Sequence, residues 1–181
     1  MPLPQPLPSV TLILGGARSG KSAHAEALVL GSGRRPVYLA TAQALDGEMA
    51  ERVRQHRQRR AADWLTVEEP LELSHALAAA SGADRAVLVD CLTLWLTNLL
   101  LAGRDVAAAS DALLTGLAAL PGPVVLVSNE VGLGIVPMGE LSRAFVDHAG
   151  RLHQRLAGAA DWVRFVAAGL PLDLKSRAGS P

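Results

Sequence analysis

The chain has 181 residues, 50% of them apolar, with 17 basic and 17 acidic side chains and hence no formal net charge at pH 7. That length suits one domain with a sizeable core, and the balanced charge removes any global field that would draw the protein to nucleic acid or an anionic membrane. The single cysteine, Cys91, excludes an internal disulfide and fits a reducing cytoplasm; its apolar neighbours read as a small buried residue rather than a nucleophile.

Met1-Pro2-Leu3-Pro4-Gln5-Pro6-Leu7-Pro8 has no basic start and alternates with proline, so residues 1–8 read as an extended lead-in rather than a signal peptide. Residues 9–181 read as a single catalytic domain. Val10–Leu14 is an apolar, β-branched strand, followed by Gly15-Gly16-Ala17-Arg18-Ser19-Gly20-Lys21-Ser22 and a helix to about Leu30. The turn fits G-x-x-x-x-G-K-[ST] on Gly15, Gly20, Lys21 and Ser22. In that pattern backbone N–H groups converge on phosphate oxygens, Lys21 supplies a point charge and Ser22 coordinates Mg²⁺. The helix behind it would turn its positive end to the same anion. Only Lys21 and Lys175 are lysines among the 17 basic residues, so a chain that otherwise uses arginine keeps lysine where a compact cation is wanted.

Pro36–Ala40 reads as a second strand that releases Thr41-Ala42 at its end. A polar helix is expected from about Gly47 to Arg60, a short strand at Trp64–Val67 and a helix at Pro70–Ala80. Arg85–Val89 is a strand ending in Asp90, Leu92–Leu101 and Val106–Leu120 are helical, and Pro123–Ser128 is a strand ending in Asn129-Glu130. Gly139–Ala160 is a long helix with Leu141, Phe145, His148, Leu152 and Leu156 along one face, Trp162–Val166 is the last strand, and the tail is polar. The longest apolar run, Ala86–Ala102, is broken by Asp90 and Asn98 and falls short of the roughly twenty residues a membrane span requires, so no insertion is expected.

Strands that are continuously apolar and separated by helices predict a sheet covered on both faces, an α/β three-layer P-loop NTPase-type domain with a mostly parallel sheet. Functional groups should then gather beyond the carboxyl ends of the strands, at Gly15–Ser22, Thr41, Asp90 and Asn129-Glu130. Asp90 fits the second acidic site of such proteins, holding Mg²⁺ directly or through water. The lesser alternative is a cap for the helix that follows. His24, His148 and His153 fall on predicted helices, where histidine is ordinarily structural or solvated, and His75 has no suggestive neighbour.

The polar helix carries five arginines between Arg52 and Arg60. A solvated face is the ordinary reading of such a run, and a nucleic-acid patch lacks interleaved aromatics. Met49, Val53, His56 and Arg60 nevertheless recur at i, i+4, i+7 and i+11, so His56 shares a face with apolar residues and with a second cation. That combination suits either a core histidine or a group that meets an anion.

The loop Gly15–Ser22 with His24-Ala25-Glu26 resembles the adenosylcobinamide kinase/adenosylcobinamide-phosphate guanylyltransferase family of cobalamin biosynthesis. So do Tyr38–Ala42, Glu48-Met49 with Arg52 and His56, Trp64–Glu68, Asp90–Thr93 with Thr97–Leu100, Val127–Pro137 and Asp147–Gln154. The likeness runs from about Thr11 to Gly169. The resemblance implies a bifunctional enzyme that phosphorylates adenosylcobinamide with ATP or GTP, then transfers GMP from GTP onto adenosylcobinamide-phosphate. It also implies a homotrimer and a GMP-histidine intermediate on His56. Lys21 and Asp90 join His56 as expected catalytic residues, and Ser22 and Asp90 as Mg²⁺ ligands. Nucleotide contacts carry over to Gly15–Ser22, to Ala40, Thr41 and Ala42, to Arg57, Gln58, Arg59 and Arg60, and to Glu68 and Asp90. Two departures stand out: Asp90 replaces a glutamate found in some relatives, and Gln58-Arg59-Arg60 replaces smaller side chains. The alternatives are a P-loop kinase of another small metabolite, which would not need His56, and a nucleotide-gated nucleic-acid binder that uses Arg52–Arg60.

Overall fold

A computed structural model describes residues 6–42 and 64–176. Its strands are β1 (Val10–Gly15), β2 (Arg35–Ala40), β3 (Leu65–Glu68), β4 (Arg85–Asp90), β5 (Val124–Asn129), β6 (Trp162–Ala167) and β7 (Leu170–Lys175). Between them lie α1 (Lys21–Gly31), α2 (Leu73–Ala80), α3 (Leu92–Leu101), α4 (Val106–Leu117) and α5 (Glu140–Ala159). The strands form one sheet in the order β3-β2-β4-β5-β1-β6-β7, parallel throughout except for the antiparallel pair β6–β7.

Alternation along the strands explains why the inner ones are apolar on both sides. Leu12, Val87, Val89, Val124 and Leu126 face one core cluster, shared with α2, α3, α4 and α5. Ile13, Ala86, Leu88, Val125 and Val127 face the other, where Ala25 and Val29 of α1 are buried. Each fully buried aliphatic side chain contributes roughly 1.5–3 kcal/mol, and with both faces covered the strands need no polar side. The α4 helix starts where the Asp105 carboxylate accepts the Ala108 N–H at 3.0 Å, a side-chain cap. The α2 helix begins at Leu73 rather than Pro70. There Glu69 Oε1 accepts the N–H groups of Leu71 and Glu72 and holds the preceding turn outside the helix.

Two expectations are corrected. The polar tail contains β7, an edge strand with all six residues exposed; Ala168 and Gly169, both at positive φ, turn the chain back onto β6. On α5 the buried residues are Ala149, Leu152, His153 and Leu156, whereas Leu141 is 58% exposed. The helix therefore meets the sheet with its second half. Within the described residues the lead-in has no regular structure, although Leu7 packs on the α1-side core and Ser9 O accepts the Val124 N–H.

Candidate active site

The carboxyl ends of β1, β2, β4 and β5 fall side by side. Register pairs Gly15 with Asn129, Ala40 with Asp90 and Ala40 with Glu68, while Asp90 lies level with Val127 of the strand next to β1. One strand separates Asp90 from the glycine loop, so their backbones are about 10 Å apart.

The loop from Gly15 to Ser22 is closely held. A Cβ on Gly15 would lie 2.5 Å from the Val166 carbonyl oxygen and 2.7 Å from Ser19 Oγ, so only glycine fits. Gly20 has φ +94°, a left-handed conformation that favours glycine. The Gly15 carbonyl accepts the Glu130 N–H at 3.0 Å and the Ser19 carbonyl accepts the Gly169 N–H at 2.8 Å, so β5 and the β6–β7 turn clamp the loop from two sides. Lys21 is buried and donates from Nζ to Gly16 O at 3.2 Å. At the start of α1, Gly20 offers no side-chain acceptor and the first turn has no acidic residue. Such a helix end favours an anion. Among the described residues Ser19 Oγ, which is buried, has no hydrogen-bond partner, and it is a further polar group suited to a phosphate oxygen. Half-buried Ser22 follows Lys21 in the first turn.

Asp90 is half-buried, and its Oδ2 accepts the Tyr38 hydroxyl at 2.8 Å. Tyr38 is itself buried, with its ring edge-on to Trp64 at 6.1 Å. The helix-capping alternative is not realised: Cys91 occupies the N-cap position of α3, with no side-chain cap bond. Burial, and next Asp90, push the Cys91 thiol above its ordinary pKa, and its sulfur sits 2.9 Å from Thr93 Oγ1. The reading of Cys91 as a small buried residue is borne out.

Thr41 is completely buried. Its hydroxyl donates to Cys91 O at 2.7 Å and accepts from Cys91 N at 3.0 Å, while Thr41 O accepts the Asn98 amide at 2.8 Å. Asn98 also donates to Pro70 O. Ala40 is buried, Ala42 half-buried and Glu68 exposed at the end of β3. Beyond β4, Thr93 Oγ1 accepts the Asn129 side-chain amide at 3.1 Å, and Asn129 Oδ1 is buried with no partner among the described residues. His56 and Arg57, Gln58, Arg59 and Arg60 lie outside the described residues.

Three contributions were not read from sequence. Tyr38 fixes Asp90 across 52 residues of chain. Thr41, Cys91 and Asn98 tie the end of β2 to α3. His153 is buried, with Nε2 2.7 Å from Ser128 Oγ and Nδ1 3.8 Å from Glu130 Oε2. Its desolvation lowers the imidazole pKa against the raising effect of Glu130. The helical spacing Ala149, Leu152, His153, Leu156 carries the signal for His153. His24, in the first turn and a half of α1, accepts a hydrogen bond from Arg164, which also pairs with Asp173 and lies over the Trp162 ring. Burial, then Arg164, push its pKa down.

Beside β5, the segment 131–139 exposes Leu133, Ile135, Val136 and Met138. It borders a cavity of about 390 Å³ lined by Thr97, Leu100, Val131, Pro137, Leu141 and Phe145.

Comparison with known proteins adds names to this geometry. The family model described as cobinamide kinase / cobinamide phosphate guanyltransferase matches residues 11–174. A Pseudomonas aeruginosa bifunctional adenosylcobalamin biosynthesis protein, CobP, is 57% identical over 91% of this chain and 96% of its own length. Salmonella typhimurium and Escherichia coli proteins of the same description, CobU, are 45% and 42% identical, each over 91% of this chain and 98% of their own. Among solved structures, a prototypical type III secretion ATPase superposes with a TM-score of 0.58 at 12% identity, over 93% of this chain and 56% of that one. The flagellar accessory protein FlaH of Methanocaldococcus jannaschii gives 0.55 at 12%, over 94% and 80%. These likenesses show the fold, the expected three-layer P-loop domain.

Proposed function

The chain belongs to the cobinamide kinase / cobinamide phosphate guanyltransferase family, and on that premise we propose how its residues divide the two activities. It is a bifunctional enzyme of cobalamin biosynthesis, a cobinamide kinase and a cobinamide phosphate guanylyltransferase. The observation that carries the residue assignment is the clamped Gly15–Ser22 loop beside an Asp90 carboxylate fixed by Tyr38.

In the kinase step ATP or GTP rests its phosphates on the loop. Lys21 neutralises charge as the bond to the γ-phosphorus passes from the bridging oxygen to the hydroxyl oxygen of adenosylcobinamide, whose proton is released to solvent. This chemistry is mostly positioning and electrostatics, which the loop supplies. The donor set fits Mg²⁺: Ser22 Oγ and Asp90 Oδ1 are hard oxygens, and with Oδ2 bound to Tyr38 the carboxylate is oriented. Among the described residues no group of three or more His, Cys, Asp or Glu converges on a metal, nor does Mg²⁺ require one beside substrate phosphates. Bound there, the ion would neutralise phosphate oxygens.

In the guanylyl step a His56 ring nitrogen bonds to the α-phosphorus of GTP, and pyrophosphate leaves. An oxygen of adenosylcobinamide-phosphate then takes the α-phosphorus and frees His56, giving adenosylcobinamide-GDP. Arg57, Arg59 and Arg60, neighbours of His56 in sequence, supply positive charge for the phosphates of GTP. Arg57, Gln58, Arg59, Arg60, Ala42 and Glu68 complete the nucleotide contacts, with buried Ala40 and Thr41 holding the strand end behind Ala42. The single Cys91 supports a reducing cytoplasm as the place of work. Among the described residues no helix is long and apolar enough to cross a membrane.

The assignment is tested with α-labelled GTP. Wild type should acquire an acid-labile label that adenosylcobinamide-phosphate discharges. His56→Ala should not label, yet should still phosphorylate adenosylcobinamide. Undiminished labelling of that variant removes His56 from the mechanism. The resemblance also supports a homotrimer, and the exposed Leu133, Ile135, Val136 and Met138 are apolar surface of the kind that a subunit contact covers. A monomer mass by light scattering would refute that assembly.

A further inference from the structure

We propose that His153 is a positioning residue for the phosphate loop, acting through Glu130; the proposal rests on the reading of Gly15–Ser22 as the phosphate cradle. Glu130 directly follows β5 and makes three connections. Its backbone N–H donates to the Gly15 carbonyl at 3.0 Å, at the point where the loop leaves β1. Its Oε1 accepts the Gly132 N–H at 2.5 Å, which binds the departing chain. Its Oε2 lies 3.8 Å from His153 Nδ1.

His153 reaches this point from α5, with 6% of its surface exposed. Its Nε2 is 2.7 Å from Ser128 Oγ, a fully buried hydroxyl two residues before Glu130 on the same strand. With Nε2 accepting the Ser128 proton, the ring carries its own proton on Nδ1, the nitrogen that faces Glu130. At 3.8 Å this second contact is electrostatic rather than a direct hydrogen bond. The imidazole thus holds both the strand end and the carboxylate that continues it. Ser128 pairs in register with Leu14, and Asn129 with Gly15, so any displacement of this strand end is passed to the loop's first residue.

Neither Ser128 nor His153 is exposed enough to touch a substrate, which excludes a nucleophile and base despite the Ser–His–Glu order. Simple packing accounts poorly for the residue as well. Its neighbours on the buried face are Ala149, Leu152 and Leu156, and an apolar side chain there would avoid the cost of burying an imidazole. The polar choice stands where α5 crosses the strand end that touches Gly15.

The experiment separates the two ring nitrogens. His153→Asn keeps an amide near the Nδ1 position and loses the reach to Ser128; His153→Gln keeps the reach to Ser128 and loses the group facing Glu130. Kinetic constants for both half-reactions and the Kd of a fluorescent GTP analogue are measured well below Tm. The Gln variant should lose roughly tenfold in kcat/KM in both half-reactions, because they share one loop, while the Asn variant stays within about threefold of wild type. Equal kinetic losses in the two variants overturn the route through Glu130. Lowered Tm with unchanged kinetics in both reduces His153 to a packing residue. Lys21→Ala serves as the separate control: normal nucleotide affinity there defeats the cradle reading itself, whatever the His153 variants do.

Discussion

The tightest steric constraint at the site is Gly15, and Gly15→Ala gives the most direct test of how the loop is built. The new methyl would stand 2.5 Å from the Val166 carbonyl oxygen and 2.7 Å from Ser19 Oγ. Ser19 can rotate, but Val166 is backbone in the neighbouring strand, paired in register with Gly15. Relief therefore means separating β1 from β6 at its end by about half an ångström or more, or moving the loop. Overpacking of this kind costs roughly 1–3 kcal/mol. Expressed as global stability in a domain of this size, that lowers Tm by about 2–12 °C. Expressed in the nucleotide-bound loop, it weakens affinity roughly 5- to 150-fold. Thermal unfolding together with titration of a fluorescent GTP analogue measures both. Gly16→Ala is the control for stability, since nothing lies within 4 Å of its added carbon; its Tm should stay within about 1–2 °C of wild type. A Gly15→Ala protein with wild-type Tm and wild-type affinity would show that the close approach of Val166 does not constrain the loop.

Tyr38→Phe removes the hydroxyl that donates to Asp90 at 2.8 Å. A hydrogen bond to a charged group contributes about 1.5–3 kcal/mol, and because Asp90 is only half-buried the low end applies, roughly a tenfold rise in the Mg²⁺ concentration that half-saturates the kinase. An unchanged Mg²⁺ titration would detach Tyr38 from the metal site. For pH, His153 and His24 both have folded-state pKa values below the ordinary 6.5, so the unfolded chain binds protons first as pH falls. Stability from this source is fully present above pH 6.5 and declines below it, toward the lowered values. Urea unfolding between pH 7.5 and 5.5 should show that decline, shallower in His153→Asn; an identical slope in the variant would remove His153 as a cause.

Legibility in the sequence followed burial. The strands β1, β4 and β5 were readable because both faces are covered, which leaves uninterrupted apolar runs such as Val124–Val127. The β7 strand was not, because an edge strand with all six residues exposed has no need of a buried face. Its Leu170, Leu172 and Leu174 alternate with Pro171 and Asp173, and they read as tail. The strand-end positions of Gly15–Ser22, Asp90 and Asn129 were readable from the strand pattern alone. Their supports were not, since they are tertiary: the Tyr38–Asp90 pair spans 52 residues and the Ser128–His153 pair spans 25. His153 on a helix suggests solvent until the buried face of α5 is known to begin at Ala149 rather than Leu141.

Thr41 shows how a correct location can leave a role open. It stands at the end of β2 beside Asp90, where the strand pattern predicts a functional group and the family resemblance implies a nucleotide contact. Yet the hydroxyl uses its proton on Cys91 O and a lone pair on Cys91 N, and the residue has no exposed surface. Its carbonyl takes the Asn98 amide, which reaches on to Pro70. These bonds fasten β2 to the start of α3 immediately after Asp90. The physical reason for threonine here is therefore a buried hydroxyl that satisfies two backbone groups where a strand end meets a helix start, which an alanine or valine would leave unpaired. In this arrangement Thr41 holds the chain on either side of it, Ala40 and Ala42 on one strand end and Asp90 on the next. Any direct contact from this stretch falls to Ala42, whose surface is half-exposed, rather than to the threonine hydroxyl.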